Sequence, residues 1–293
     1  MGETRKTEPR HGGEPTLAEL RQEIDRIDDA VHRLLIERGE IIESLIAVKR
    51  TQESASAFRP AREASMMRRL VERHRGLLPL DTVESIWRVI ISTFTFVQAK
   101  YAVHADMSAG DALTRDSARF HFGFTVPLKS HGGAAVVIAA VAASKGDLGL
   151  LPATGLAGGG AWWRALEKAD APKIIARLPF VERPDHPASL PLFVVSKPLP
   201  ADAAANEIEI YSVAVAGWSA AAARALAPLA EVIAVPDGTD GAALLLSLSP
   251  GGKLKEVTDA LVKAGSSVRG TALVGGHATR YTVPPANKSG VSS

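Results

Sequence analysis

The sequence predicts a multi-domain protein in which an all-α, three-helix region precedes an α/β region and then an α+β region. The 293 residues exceed the size of one average domain, so the chain can form more than one core. In the first hundred positions, apolar residues recur at helical spacing. After about residue 104 the chain becomes rich in Ala, Gly and Val, and strand patterns alternate with helix patterns.

The composition excludes several classes of function. Lys and Arg number 34 and Asp and Glu 32, so the net charge of +2 is too small for a general binder of nucleic acid or membrane surfaces. The absence of cysteine excludes disulfides, thiolate metal sites and a cysteine nucleophile, and it fits a cytoplasmic location. No window reaches the roughly 18–20 apolar residues of a membrane span. The polar residues 1–16 are predicted to be a disordered tail and not a signal peptide.

The first predicted helix has an apolar seam with steps of three and four residues. Gly39 is its only helix-breaking residue, so the helix is much longer than usual in globular proteins. We expect it to be the spine of a helical bundle or of a two-chain assembly. The seam consists of Leu17, Leu20, Ile24, Ile27, Val31, Leu34, Ile41, Leu45 and Val48.

Two shorter helices are predicted to follow. Pro60 opens the second helix, and Gly76 and Pro79 close it. The third is expected to begin at an Asp81 N-cap, with Glu84 completing a capping box. Three helices of unequal length bury little surface alone, so dimerisation through the first helix is expected. The predicted apolar face of the third helix carries Val83, Ile86, Ile90, Phe94, Val97 and Tyr101.

Cationic side chains on the first helix indicate an anion-binding site. Arg38 occupies the one seam position where the pattern requires an apolar residue. Lys49 lies eleven residues further, on the same face and roughly 16 Å along the axis, so the two can bracket a small anion. Arg21 projects roughly 100° away, so it could join this site only from a partner chain. Alternatively, Arg38 lies at a bundle edge with its charge in water, and Lys49 is ordinary surface.

Several motifs in residues 17–103 carry a family resemblance. The run LAELRQEIDRIDDAVHRLLIERGEIIESLIAVKR contains Leu-Arg, Ile-Asp-x-x-Asp, Leu-Leu-x-Glu-Arg and a Lys eleven residues after that Arg. FRPAREASMMRRL contains Arg-Pro-x-Arg-Glu, and the third helix ends at Gln98. Because it contains these motifs in this order and spacing, the region resembles the AroQ-type chorismate mutases. The resemblance implies a three-helix domain that forms an intertwined homodimer.

The resemblance also implies a reaction in aromatic amino acid biosynthesis. Chorismate, a dianion, rearranges to prephenate in an intramolecular pericyclic step without metal or cofactor, so catalysis depends on positioning and electrostatics. By resemblance, Lys49 and Gln98 donate hydrogen bonds to the ether oxygen. Arg38 and the partner's Arg21 hold the carboxylates, because guanidinium binds them bidentately, and Glu63 orients the ring hydroxyl.

The second helix departs from the family pattern. Met66 and Met67 stand where many relatives carry Arg and Glu, and core packing is the alternative explanation for this pair. Phe94 replaces a residue that is commonly small or hydroxylated. Arg59 and Arg62 are candidates for the missing positive charge, or are simply solvated. The departures leave open a regulatory protein that keeps the fold for dimerisation.

The second half is predicted to begin with a linker at 104–116. Strands are predicted at FHFGFTVPL, DLGLLPA and LPLFVVSKPL, helices at GGAAVVIAAVAAS and AWWRALEKA, and the strands are expected to pair in parallel. AAVAASKGDLGLLPATG and DHPASLPLFVVSKPL resemble segments of prephenate dehydratases. The family's Thr-Arg-Phe triplet is replaced by Leu190, Pro191 and Leu192. Since hydroxyl and guanidinium are both lost, residues 117–200 are predicted to be a degenerate dehydratase-like region without that activity. A bifunctional mutase and dehydratase is the alternative.

Residues 201–285 are predicted to form an α+β region, followed by a tail at 286–293. Strands are predicted at EIEIYSVAVAG, EVIAVPD and AALLLSLS, helices at AAAARALAPLA and KLKEVTDALVKAG, and two closing strands through TRYTV. GAALLLSLSPGGKLKEVTDALVKAG resembles an ACT-type regulatory module, in which Gly251 and Gly252 would let a small ligand approach the backbone. The Glu-Ser-Arg-Pro element of that family is not recognisable.

Overall fold

The computed structural model describes residues 15–49, 57–108, 110–153, 160–200, 203–204, 207–235 and 242–283, and of Lys49 the backbone alone. The chain divides into two compact units, with the boundary between Glu53 and Ser54. Both predicted tails lie almost wholly outside the described residues. In the described part of the chain, no helix is long and apolar enough to cross a membrane.

The first unit contains the single long helix α1 (Leu17–Lys49), as the seam predicts. A capping box fixes its start, because Thr16 Oγ1 accepts from the Glu19 amide at 3.3 Å and Glu19 Oε2 accepts from the Thr16 amide at 2.7 Å. Thr16 therefore belongs to the helix start and not to the predicted tail. The seam is exposed: even its least exposed member, Leu45, keeps 38% of its surface accessible. So long an apolar stripe is typical of an interaction surface.

The second unit begins with α2 (Pro60–Arg73) and α3 (Leu80–Gln98). Proline starts α2 as predicted. The predicted capping box of α3 is wrong: Pro79 precedes the helix, and Asp81 Oδ1 accepts from the adjacent Thr82 amide at 2.9 Å. Glu84 is fully buried and binds residues far along the chain.

The apolar face predicted for α3 is only partly exposed, because two of its six members, Val83 and Tyr101, are buried. Ile86 and Val97 are 44% and 45% exposed. The buried side of the helix is partly polar, and Glu84 and Arg88 lie on it. Helix α3 therefore has two distinct faces, one packed in the unit and one available to a partner.

A nine-stranded sheet forms most of the second unit. The strands are β1 (Val103–Asp106), β2 (Leu128–His131), β3 (Leu148–Pro152), β4 (Lys173–Leu178), β5 (Val181–Glu182), β6 (Leu192–Ser196), β7 (Ile208–Ala216), β8 (Ala230–Ala234), β9 (Ala242–Leu248), β10 (Ser267–His277) and β11 (Tyr281–Thr282). The strand order in the large sheet is β2-β1-β3-β6-β4-β10-β7-β9-β8, and β11 and β5 form a separate two-stranded pair. The helices are α4 (Asp111–Phe122), α5 (Ala134–Ala143), α6 (Ala220–Leu226) and α7 (Leu254–Lys263), with a short 3₁₀ helix at Trp162–Leu166.

Two predictions at the start of the sheet are wrong. Residues 104–116, the predicted linker, contain most of β1 and the start of α4. FHFGF, the predicted strand, is the end of α4 and the turn after it. Thr114 and Ser117 lie on the buried side of α4, so its sequence lacks the apolar period that identifies a helix. The pairing is also mixed: β1 is parallel to β2 and β3, whereas β6 is antiparallel to β3 and β4.

The predicted elements after residue 207 are confirmed. The order β7-α6-β8-β9-α7-β10 forms an antiparallel βαββαβ unit of the ferredoxin-like kind. The unit is not separate from the region before it, because β10 pairs with β4 at Gly275 and Ile174. The two predicted regions therefore share one sheet.

Gly275 allows this junction to form. Its φ is +144°, and a Cβ at this position would lie 2.1 Å from the Ile174 carbonyl oxygen. A side chain would be strained and would also force the two strands apart.

We predict that Gly275→Ala lowers the free energy of unfolding by about 2–5 kcal/mol, through backbone strain and overpacking together. The matched control is Gly270→Ala on the same strand, where a Cβ meets nothing within 4 Å. It should change stability by about 0.5 kcal/mol or less. Urea unfolding of both variants provides the measurement, and equal losses would contradict the proposed junction.

Candidate functional site

Helix α1 carries three of the predicted site residues. Arg21 is exposed and Arg38 is half-buried, while Lys49 is the last helical residue. An ideal helix places Lys49 roughly 16 Å beyond Arg38 on the same face and Arg21 roughly 100° away. One copy of α1 therefore does not bring Arg21 and Arg38 to the same place.

Gln98 is the last residue of α3 and is half-buried. Its Nε2 donates a hydrogen bond to the carbonyl oxygen of Phe94, one turn earlier, at 3.1 Å. This contact holds the amide against its own helix. An amide nitrogen carries two N–H groups, so this bond does not by itself prevent donation to a ligand.

Glu63 forms a buried ion pair that sequence reasoning missed. Arg88 Nη1 donates to Glu63 Oε2 at 2.7 Å, and the two side chains are 5% exposed or less. Arg88 also donates through Nη2 to the His121 carbonyl at 3.0 Å and lies over the ring of Phe180. Burial raises the pKa of Glu63, and Arg88 offsets part of that shift. The predicted contact of Glu63 with a ring hydroxyl stays a prediction, because here its carboxylate faces Arg88.

A second buried carboxylate, Glu84 of α3, pairs with residues that follow β5. Arg183 Nη1 donates to Glu84 Oε2 at 2.6 Å. The His186 ring donates through Nε2 to Glu84 Oε1 at 3.1 Å, since its Nδ1 accepts from the Ala188 amide. Glu63 therefore joins α2 to α3, whereas Glu84 joins α3 to the segment that follows β5.

The other predicted site residues in and just before α2 have separate surroundings. Met67 is completely buried and Met66 partly, both in the core beneath α2. Arg62 is exposed, and Arg59 Nη1 donates to the Phe58 carbonyl at 3.4 Å. The methionine pair thus fits core packing.

Comparison with known proteins shows a family similarity of the N-terminal region. Residues 20–99 match the family model for chorismate mutase type II. The chain is 29% identical over 140 residues to the bifunctional chorismate mutase/prephenate dehydratase of Aquifex aeolicus. This match covers 46% of this chain and 38% of that protein. The protein of the same name from Neisseria gonorrhoeae is 30% identical over 103 residues, or 35% of this chain and 27% of that protein. The chain thus spans well under half the length of these relatives.

A solved prephenate dehydratase from Streptococcus mutans resembles the chain more distantly. The identity is 12%, the TM-score is 0.33, and the match covers 61% of this chain and 98% of that one. At this score the likeness does not define the fold. The ACT-like interpretation of residues 201–285 stays a prediction.

The three residues at the position predicted for the dehydratase triplet are all apolar. Leu192 starts β6 and is fully buried, and Leu190 packs against the core beneath α2 and α3. The Pro191 carbonyl accepts from the Ala153 amide at 2.8 Å. These three side chains carry no group that could protonate a leaving hydroxide or bind a carboxylate.

A hydrogen-bonded histidine relay lies across the parallel strands. His104 Nε2 donates to Asp147 Oδ2 at 2.9 Å, and His104 Nδ1 lies 2.8 Å from His131 Nε2. Burial acts to raise the pKa of Asp147, but hydrogen bonds from the Ala102 amide and from His104 hold it below its ordinary value. Among the described residues, no group of three or more His, Asp or Glu side chains could hold a metal ion. The relay links β1, β2 and the start of β3.

We predict that Arg88→Met destabilises the protein by about 3–5 kcal/mol, because Glu63 is then buried without its partner charge. Replacing both residues, as Glu63→Leu with Arg88→Met, should recover most of the loss. The exposed Arg62→Met is the matched control and should have little effect. Urea unfolding is the measurement, and a negligible loss in Arg88→Met would show that the pair does not anchor α2 to α3.

Proposed function

We propose that this protein is a homodimeric chorismate mutase, which converts chorismate to prephenate in aromatic amino acid biosynthesis without metal or cofactor. One observation carries the proposal: the region that matches chorismate mutase type II retains Arg21, Arg38 and Lys49 in order along α1. Dimerisation alone needs only the apolar seam, so it does not explain these cations. A soluble biosynthetic enzyme of this kind is proposed to work in the cytoplasm.

The exposed seam of α1 supports the dimer. In a monomer its nine apolar side chains would stay in water, and each buried CH₂ group contributes about 0.8 kcal/mol. A second copy supplies a matching seam, since a two-fold interface brings the same surface from each chain. It also supplies an Arg21 from another direction, which the helical geometry of α1 requires.

The proposed chemistry is electrostatic. Arg38 and the partner's Arg21 bind the two carboxylates of chorismate, and their charge does not depend on pH. Lys49 and Gln98 donate hydrogen bonds to the ether oxygen as negative charge grows there. The amide of Gln98 has two N–H groups, so donation to the ether oxygen is compatible with its bond to the Phe94 carbonyl. A contact from Glu63 to the ring hydroxyl would require its ion pair with Arg88 to open, so Glu63 has the least support among these ligands.

A second candidate function is a regulatory protein that keeps the mutase fold for dimerisation. The ion pair of Glu63 with Arg88 and the burial of Met67 favour it, because both withdraw α2 from substrate recognition. Retention of the cations on α1 favours the enzyme. The dehydratase activity of the relatives is proposed to be absent, because residues 190–192 lack its reagents.

An assay of chorismate loss with product identification tests all three possibilities. We expect prephenate to form, and phenylpyruvate at neutral pH to stay at the uncatalysed background. Enzyme-dependent phenylpyruvate would indicate the bifunctional alternative. Chorismate that stays unchanged with folded, dimeric protein would favour the regulatory candidate.

The action of Arg21 across the dimer can be tested with mixed subunits. Arg21→Ala and Arg38→Ala should each lower kcat/KM by at least about 10²-fold, as expected when a preorganised ionic contact is lost. Mixing the two variants should restore part of the activity, because a hybrid dimer contains one intact site. Arg26→Ala, an exposed arginine of the same helix, is the control. No recovery despite demonstrated subunit exchange would contradict action in trans.

The role of Gln98 predicts a particular pH dependence. An amide donates at every ordinary pH, whereas a carboxyl donates only when protonated, and a free Glu titrates near about 4.3. The kcat of the parent enzyme should therefore vary little between about pH 5 and pH 8. The kcat of Gln98→Glu should fall as the pH rises, because its carboxyl loses the proton that it donates. The bound dianion raises the pKa of the new carboxyl, whereas the charge of Lys49 lowers that pKa. Gln98→Ala should be poor throughout, by about 10²–10³-fold in kcat.

Profiles of kcat against pH for the three proteins, with circular dichroism as the folding control, provide the measurement. If Gln98→Glu is as active as the parent at pH 8, Gln98 does not donate to the substrate.

A further inference from the structure

A cavity of about 260 Å³ lies where β4 meets the βαββαβ unit, and none of the residues proposed for the mutase site lines it. It is smaller than the roughly 300–1,000 Å³ of drug-sized ligand sites, so it suits a small metabolite. Its polar side chains come from both sides of the junction. They include Arg177, Glu182, Glu231, Ser249, His277 and Arg280.

The cations of this cavity are buried and the anions are not. Arg177 is 5% exposed and donates from Nη2 to Glu231 at 2.9 Å, whereas Glu231 is 54% exposed. Arg280 is 16% exposed and lies 3.1 Å from Glu182, which is 47% exposed. Water screens the carboxylates much more than the guanidinium groups. The interior of the cavity therefore favours an anion although the four charges sum to zero.

His277 adds a hydrogen-bond acceptor. Its Nδ1 lies 2.8 Å from the Ala278 carbonyl oxygen, which can only accept, so Nδ1 carries the proton. Burial lowers the pKa of His277 to about 4, and the two nearby arginines act in the same direction. The ring is therefore neutral at pH 7, and Nε2 carries a lone pair. Nε2 is buried and has no hydrogen-bond partner among the described residues.

Arg177 has a matching donor. Its Nε is also buried and without a partner in the described part of the chain. An unpaired buried donor or acceptor costs about 1–3 kcal/mol each, so such groups are usually satisfied by a ligand or water. A ligand suited to this cavity would therefore carry both an acceptor and a donor.

We propose that this cavity binds a small 2-hydroxy carboxylic acid. The carboxylate would lie against the guanidinium groups of Arg177 and Arg280, and the hydroxyl would donate to His277 Nε2. An ammonium group in place of the hydroxyl is disfavoured, because the two buried arginines repel it. A bound acid would contact residues from both sides of the β4–β10 junction and would stabilise it.

Thermal unfolding of the full-length chain tests the proposal, since a ligand that binds only the native state raises Tm with concentration. The probes are lactate, propionate, lactamide and alanine, each at ionic strength matched with sodium chloride. We expect a saturable rise with lactate, a smaller one with propionate, and none with lactamide or alanine. A response to lactate no larger than that to chloride would overturn the proposal. A larger response to alanine than to lactate would overturn the choice of a hydroxy acid.

Variants of the lining residues test whether lactate binds in this cavity. Arg280→Gln should abolish the effect of lactate, and His277→Phe should reduce it to that of propionate. Arg280→Lys keeps the positive charge and should retain part of the rise in Tm with lactate. It replaces the glutamine variant in the test if that variant does not fold. Arg269→Gln, exposed on the same strand as His277, is the control and should respond as the parent does. A full lactate response in both Arg280 variants would place the ligand elsewhere and overturn the assignment.

Discussion

The carboxylates of Glu63 and Glu84 are buried between α2, α3 and the α/β part of the second unit, where an unpaired charge costs several kcal/mol. Both carboxylates have charged partners: Glu63 pairs with Arg88, and Glu84 pairs with Arg183 and His186. These pairs fix which sides of α2 and α3 face inward. As a consequence, Ile86 and Val97 face solvent, and the helices present an apolar surface that the second unit itself does not cover.

The function that we propose depends on the exposed apolar surfaces of the helices. The cations needed to bind a dianion lie on α1, whose apolar seam is exposed, and the proposed hydrogen-bond donor Gln98 ends α3. Neither helix completes a site alone. Assembly of two chains would bury both apolar surfaces and bring the carboxylate ligands together, so dimerisation and catalysis would depend on the same surface. The burial of Met67 and the pairing of Glu63 indicate a structural role for α2.

The sequence predicts those features that depend on local periodicity. The seam of α1 and the Pro60 start of α2 are confirmed, as are the strands and helices after residue 207. Helix α4 was missed because small polar residues such as Thr114 and Ser117 occupy its buried side. Glu84 has the spacing of a capping residue, but its partners lie 99 and 102 residues away, and no local pattern reveals them. One signal could have been used: Arg88 interrupts the apolar run WRVIIS, and a charge there needs a buried partner.

Native-state hydrogen exchange, followed by mass spectrometry at increasing urea, tests most directly whether α2 and α3 belong to the α/β part. Amides of a cooperative unit exchange with a common free energy of opening. Our account predicts that α2 and α3 lose protection together with the central strands β1 and β3. Loss of protection in α2 and α3 at a clearly lower free energy than in β1 and β3 would contradict it.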